Sequence, residues 1–524
     1  LRLRSSRGDL AGGVAVAVAA VAVHARTIAF GFTSLDDVDL LVGDHAFLAR
    51  GSALWRAFGR SHLYVVDPRH AYYRPLVTVS YALDAQWSGV RPFGYHATNV
   101  ALHAVACVLL HALLRRLSLG GALATAGALV FAVHPVVAAA VAWIPGRNDV
   151  LLGVFALAAW LNWLTCVRDR SVGSWRGALH YVFFALALFA KETAIVLPLV
   201  CVAHVALDES QRSSWVRLKR PAVLGSFAAG WVLVVAAWAA VRSAATQQSF
   251  AETGVAALRS LGAGVTGLAS GLGQLAVPMH LSLIADSSDV PVWPGLVVAC
   301  GIVLAAWRIP GVRRRVVALG VVVFALWLAP AIAAGGSLLL QSRLYLPACG
   351  VVIVAAEIAR AIAPAQRTLA AVAGTLVGVL ALVTLGYEGT FADPLAFARN
   401  AVDESPRSSL AHFCLGQAWH ASGRTDRALA EYEAALSLGA TFAVHNDIAV
   451  IYMADARWDD AERELRAEIA VDPDFAIAHA NLGVVLRREG RLDEACVEQA
   501  RALALDPDDE RAARERETYC VRPP

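Results

Sequence analysis

The sequence predicts an all-α protein. A polytopic helical membrane domain of about eleven spans covers residues 1–392, and an α-solenoid covers 393–524. Three observations predict this. The 524-residue chain is 58% hydrophobic and 17% charged, with mean hydropathy +0.56, whereas soluble domains carry about 25% charged residues. Apolar runs approaching the ~20 residues needed to cross a bilayer recur through the first three quarters. Residues 393–524 instead hold 15 basic and 25 acidic side chains, net −10 against +13 for the rest, and repeat with a period of 33 to 34 residues. An acidic tail on a basic membrane body argues against nucleic acid as a partner. Eight cysteines without a Cys-x-x-Cys pair exclude a disulfide scaffold and a zinc ribbon.

The first apolar run, 10–32, follows Arg2, Arg4 and Arg7. It lacks a convincing small-residue cleavage site and reads as a retained helix with its N-terminus in the cytoplasm. Residues 33–95 read as a long polar loop on the outer face, broken by a short interfacial helix near 48–58. Further spans fall near 96–114, 120–140, 149–167, 177–190, 193–207, 221–242, 293–307, 316–334, 346–362 and 369–387. Basic clusters flank alternate ends, at Arg115/Arg116, Arg168/Arg170/Arg176, Arg212/Arg217/Lys219/Arg220, Arg308/Arg313/Arg314/Arg315 and Arg360/Arg367. Eleven spans put every cluster on the cytoplasmic side and the tail outside. Counting the Gly-rich stretch 256–278 as a crossing would break that rule, so it reads as re-entrant or surface-lying. Lys191 and Lys219 are the only lysines, a bias that suggests a GC-rich bacterium, with an inner (plasma) membrane and a periplasmic tail; in a eukaryote the tail would face the endoplasmic reticulum lumen.

The tail carries a specific pattern. Leu415-Gly416, Trp419, Gly423, Ala428, Tyr432 and Ala435 return as Ile448-Ala449, Tyr452, Ala461, Leu465 and Pro473. They return again as Leu482-Gly483, Leu486, Gly490, Ala495, Ala502 and Pro507. Small residues let paired helices approach and large ones fill the gaps, which is the tetratricopeptide pattern, three repeats after a half-repeat. Such arrays offer a concave face to peptides or partner proteins; a spacer or dimerisation element is the alternative.

Charged groups within a bilayer need pairing, water or a purpose. On the eleven-span topology the informative ones all fall on the outer side. Asp36 and Asp37 follow the first span. Arg74 lies in Tyr73-Arg74-Pro75-Leu76. His96, Asn99 and His103 share one helical face, which reads as a polar stripe toward a cavity. His134-Pro135, Gly146-Arg147-Asn148-Asp149, Lys191-Glu192 and Arg343-Leu344-Tyr345-Leu346-Pro347 complete the set.

In this order, together with residues 32–37 and Pro92-Phe93-Gly94-Tyr95-His96, the motifs resemble the bacterial relatives of the transmembrane and tetratricopeptide-repeat O-mannosyltransferases. That family is similar to the protein O-mannosyltransferases and has the GT-C glycosyltransferase fold. The resemblance implies a membrane glycosyltransferase that moves a sugar, mannose in the relatives, from a polyprenyl-phosphate donor to a hydroxyl acceptor outside the cytoplasm. The eukaryotic relatives carry longer repeat arrays, and Asp36-Asp37 stands where related enzymes have Asp-Glu.

Such transfer needs a base, a cationic environment for the departing phosphate and a lipid slot. Asp36 is the candidate base, with Asp37 orienting the acceptor or donor; two adjacent carboxylates can also hold a divalent metal. Arg74, Arg147, Lys191 and Arg343 are the phosphate candidates. Glu192 is expected to orient Lys191, and His96, Asn99, His103, His134, Asp149 and Tyr345 to line or orient the pocket. Two alternatives remain open on the residues alone. A non-enzymatic membrane-anchored repeat scaffold explains the tail but not the gathered charges. An O-antigen-type ligase or polymerase would use a diphosphate carrier. A transporter ranks last, since no inverted internal repeat is visible.

Overall fold

The computed structural model describes all residues except 1–6, 34, 63–71, 170–174, 209–215, 217–220, 247–263, 334–337, 363–364, 442, 508 and 521–524. It divides into two units, Leu1–Asn400 and Ala401–Pro524.

The all-α expectation holds, and each of the eleven apolar runs contains a helix among the described residues. Among the described residues, seven helices are long and apolar enough to cross a membrane alone: Gly8–Ala29, Pro92–Arg116, Ile144–Asp169, Leu224–Thr246, Arg314–Ala333, Gln341–Ile362 and Gln366–Phe391. An eighth candidate is bent by 56° between Gly121–Ala132 and Pro135–Ala142. Pro135 has no N–H to continue the ladder and pushes His134 into an extended conformation. Trp175–Ala190, Glu192–Leu207 and Trp293–Arg308 are shorter apolar helices. One feature absent from the sequence reading is a short antiparallel ladder, Ile284–Asp286 with Leu338–Leu340.

Two expectations change. The outer loop 33–95 contains a 14-residue helix, Pro75–Ser88, started by a proline at its first position. Its Val77, Tyr81, Ala82 and Ala85 pack into a core with Leu40, Leu41, Tyr95, Ile144 and Leu151, so the segment is built into the bundle. The Gly-rich stretch contributes a 13-residue helix, Gly264–Ala276. At 1.5 Å per residue this is about 20 Å, short of a ~30 Å hydrocarbon core. Residues 256–263 of that stretch lie outside the described residues.

The basic helix ends meet one another. Arg115 pairs with Asp9 at 2.7 Å. Arg313 and Arg360 both pair with Glu357, at 2.6 and 2.7 Å, and Arg313 donates to the Leu117 carbonyl at 3.0 Å. Gly320 and Gly350 allow two of these helices to cross backbone to backbone, since a Cβ on Gly320 would lie 2.6 Å from the Gly350 carbonyl. At the other end, Gly31 N–H donates to the Ala392 carbonyl at 3.0 Å, which joins the exits of the first and last apolar helices.

The second unit is a set of helix pairs with the expected period: Ser409–Ala421 with Thr425–Ser437, Val444–Ala454 with Trp458–Val471, and Ala476–Arg488 with Leu492–Leu505. A last helix, Glu510–Tyr519, follows. Ala449, Ala461, Leu465, Ala478, Leu482, Val485, Leu486 and Ala495 form a shared core, the small residues sitting where the helices approach. Each pair is latched the same way, by His412–Glu431, His445–Glu464 and His479–Glu498 at 2.7, 2.7 and 2.6 Å. Cys496 is disulfide-bonded to Cys520, a single staple beyond what the cysteine spacing revealed.

Candidate functional site

The loop after the first helix brings its carboxylates into low-dielectric surroundings. Asp37 is 1% exposed; its Oδ2 accepts from the Thr33 N–H at 2.7 Å, while Oδ1 has no partner among the described residues. Burial pushes the Asp37 carboxyl up to about 7. Asp36 is partly buried and its carboxylate forms no side-chain hydrogen bond among the described residues. Burial, then the nearby Asp39 charge, raises it to about 6 against the pull of Arg74. A carboxylate that is charged at neutral pH, basic for its kind and free of hydrogen bonds to the described residues is suited to accept a proton.

From Arg74 the charges run on in sequence. Arg74, preceding the Pro75–Ser88 helix, clamps Glu192 in a bidentate fork of 2.9 and 3.3 Å, with its guanidinium 4.5 Å from the centre of the Tyr72 ring. Lys191 donates to Asp149 Oδ1 at 2.6 Å and to Asn148 Oδ1 at 3.0 Å. Glu192 therefore serves Arg74 rather than Lys191, contrary to the sequence expectation. Lys191 is extended and Glu192 opens a 3-10 turn, so the neighbouring side chains part. Asp149 Oδ2 remains without a partner among the described residues.

Arg147 also departs from expectation. It is fully buried and four donor contacts are spent inside the protein. They go to Asp84 Oδ2 at 2.5 Å, the Tyr95 carbonyl at 2.6 Å, Asn99 Oδ1 at 2.7 Å and Ser80 Oγ at 3.2 Å. This guanidinium ties helices together and has little left for a phosphate. Arg343 is different: it lies partly buried on the turn Gln341–Leu344 and forms no hydrogen bond or ion pair among the described residues.

The polar stripe His96, Asn99, His103 does share one face, and all three are buried, but the face is a brace rather than a cavity wall. Asn99 Nδ2 donates to the carbonyls of Val141, Trp143 and Ile144 at 3.2 to 3.3 Å, where Pro145 interrupts the helical ladder. His96 meets the Gly31 carbonyl at 3.3 Å. His103 Nε2 donates to the Ala132 carbonyl at 3.1 Å and its Nδ1 accepts from Tyr345 Oη at 2.8 Å. The Tyr345 ring fits because position 153 is glycine; a Cβ there would lie 2.6 Å from it. His134 caps its own helix through Val136 N–H at 3.2 Å and reaches the Leu275 carbonyl at 2.9 Å.

Sequence reasoning missed three groups here. Asp84, the partner of Arg147, sits in the helix read as loop; an acid between Leu83 and Ala85 was its signal. His24 and Glu388 are both fully buried and hydrogen-bonded to each other through His24 Nδ1, with His24 Nε2 donating to the same Ala132 carbonyl at 3.0 Å. Arg242, near the end of the Pro221–Thr246 helix, was read only as the limit of a span.

The metal alternative finds little support in the donor set. Among the described residues no group of three or more His, Cys, Asp or Glu is arranged to hold an ion, and one Asp37 oxygen is already engaged by backbone.

Fold and site together define an all-α, multi-pass membrane protein with a charged cluster at one end of its helical bundle and a tetratricopeptide tail. Residues 82–249 match the dolichyl-phosphate-mannose-protein mannosyltransferase family, and residues 390–441 and 446–510 match the tetratricopeptide repeat. The chain is 37% identical over 201 residues to protein O-mannosyl-transferase Tmtc1 of Drosophila melanogaster, covering 37% of this chain and 23% of the relative. It is 35% identical over 144 residues to human protein O-mannosyl-transferase TMTC1, covering 26% and 16%. To protein O-mannosyl-transferase Tmtc2 of Drosophila melanogaster it is 38% identical over 138 residues, covering 25% and 15%. The chain is thus similar to these O-mannosyltransferases over part of its length, and it spans less than a quarter of the length of the relatives it matches.

Proposed function

We propose that the protein is a membrane glycosyltransferase that moves a sugar, mannose by analogy with its relatives, from a polyprenyl-phosphate donor to a hydroxyl on a protein acceptor. The observation that carries this reading is Asp36: a carboxylate with raised basicity and no hydrogen-bonded partner among the described residues, within electrostatic reach of Arg74. The acceptor oxygen attacks the anomeric carbon, its proton passes to Asp36, and the bond from that carbon to the phosphate oxygen breaks. The electron pair leaves on the lipid phosphate. Arg343, which makes no hydrogen bond or ion pair among the described residues, is the sequence candidate with donors left to hold that charge; fixed donors aimed at a developing anion are commonly the largest catalytic contribution. Lys191, paired to Asp149, and Arg74, paired to Glu192, supply field rather than free donors.

The last apolar helix ends beside Gly31, on the side of the Asp36 loop, and this supports a common extracytoplasmic compartment for the site and the repeats. A cavity of about 270 Å³ in the tail, lined by Gln417, His420, Tyr432 and Asp447, suits an extended acceptor segment.

The test is transfer of radiolabelled mannose from polyprenyl-phosphate mannose to membrane-extract protein by the purified chain. Asp36→Asn is expected to lower the rate by at least about 100-fold, the scale of a lost general base, with folding and insertion intact. Wild-type turnover by that variant would remove Asp36 from the mechanism. Absence of transfer from any polyprenyl-linked donor by the wild type would sink the enzymatic reading.

A further inference from the structure

Arg242 lies four residues before the end of the Pro221–Thr246 helix and is only 8% exposed. Its Nη1 is buried without a hydrogen-bond partner, and among the described residues the guanidinium makes no hydrogen bond or ion pair. The acid acting on it is Glu192, whose two oxygens are already taken by Arg74. The helix packs against Trp175–Ala190, which leads into Lys191 and Glu192, and against the turn Ala57–Gly59. That turn in turn accepts the Tyr73 hydroxyl at the Phe58 carbonyl, at 2.9 Å. Arg242 therefore belongs spatially to the Arg74–Glu192 cluster, though it is about 170 residues away from Arg74 in sequence.

A buried guanidinium without an acceptor is costly. The neighbouring buried cations avoid that cost: Arg147 is matched by Asp84 and Lys191 by Asp149. An unspent fork of donors in such a place fits an arriving oxyanion, and the planar fork of arginine suits two oxygens of a phosphate.

We propose that Arg242 is a donor-phosphate ligand, contacting the phosphate of the lipid-linked sugar beside the Arg74–Glu192 pair. This rests on the donor class proposed above and adds a residue to it.

The experiment uses the full chain in lipid nanodiscs and three probes: polyprenyl monophosphate, the matching polyprenol, and inorganic phosphate as competitor. Arg242→Gln is expected to weaken polyprenyl-phosphate binding at least tenfold and leave polyprenol binding unchanged, with Arg242→Lys in between. Because the guanidinium has no hydrogen-bonded partner among the described residues, the thermal unfolding midpoint of lipid-free Arg242→Gln should equal or exceed that of wild type. A structural arginine would do the reverse, with a lower midpoint and equal losses for both lipids, and that result overturns the proposal. Wild-type affinity in Arg242→Gln also overturns it while leaving the donor class standing. Equal binding of polyprenyl phosphate and polyprenol by the wild type would instead bring down the donor class itself. Full displacement by inorganic phosphate at an affinity equal to that of the lipid would overturn the assignment to a lipid-borne phosphate.

Discussion

Asp36 and Asp37 are adjacent carboxylates lifted to about 6 and about 7 by burial, and that single fact makes activity and stability respond to pH in opposite directions. A general base must be ionised, so transfer should fall as pH drops through about 7 and then 6, with two inflections that belong to the coupled pair rather than to either residue. Stability follows from proton counting. Between these raised values and the ordinary 3.8, the folded protein holds protons that the unfolded chain has released, so this pair favours folding more as pH falls. Initial rates and thermal midpoints measured together from about pH 5 to about pH 8 check both trends. A rate that stays flat across that window would exclude a raised carboxylate as the base.

At the scale of the element, the Pro75–Ser88 helix is held to the helix starting at Arg147 by one buried ion pair, Arg147 with Asp84. Arg147→Met should cost about 3–5 kcal/mol, because it strands Asp84 as an unpaired buried charge. Adding Asp84→Leu should return much of that loss, since two apolar residues in contact need no solvation. Denaturant titration of the two variants beside wild type measures both steps; equal stabilities for the single and double variants would place the tie elsewhere. This part of the site was hard to read in the sequence. Hydropathy identified the long spans and the positive charges their ends, but a 14-residue helix with polar flanks looks like loop until its partner is known. The stripe of His96, Asn99 and His103 was legible as one face. Its purpose was not, because its acceptors are carbonyls released where Pro135 and Pro145 interrupt helices far along the chain. Arg147 looked like a phosphate ligand for the same reason: its acid, Asp84, is 63 residues away.

For the molecule as a whole, the repeats were the most legible part, since a 33- to 34-residue rhythm of small and large positions dictates paired helices with little dependence on distant contacts. The staple between Cys496 and Cys520 was not, because spacing alone fixes no pairing. It joins the last repeat to the Glu510–Tyr519 helix, and disulfides persist in oxidising compartments. Protein isolated from membranes with thiols blocked at lysis should therefore show Cys496 and Cys520 unlabelled until reduction. Free thiols at both positions would place the tail in a reducing compartment and remove the shared extracytoplasmic side from the functional reading.

One contact bears on how such a chain is made. His24 turns one ring nitrogen to the Glu388 carboxyl group and the other to the Ala132 carbonyl. Its carboxyl partner is encoded 364 residues later. During synthesis the first helix waits for the last: until Glu388 emerges, nothing in the growing chain supplies that carboxylate, and the final apolar helix acts as the bolt that closes the bundle.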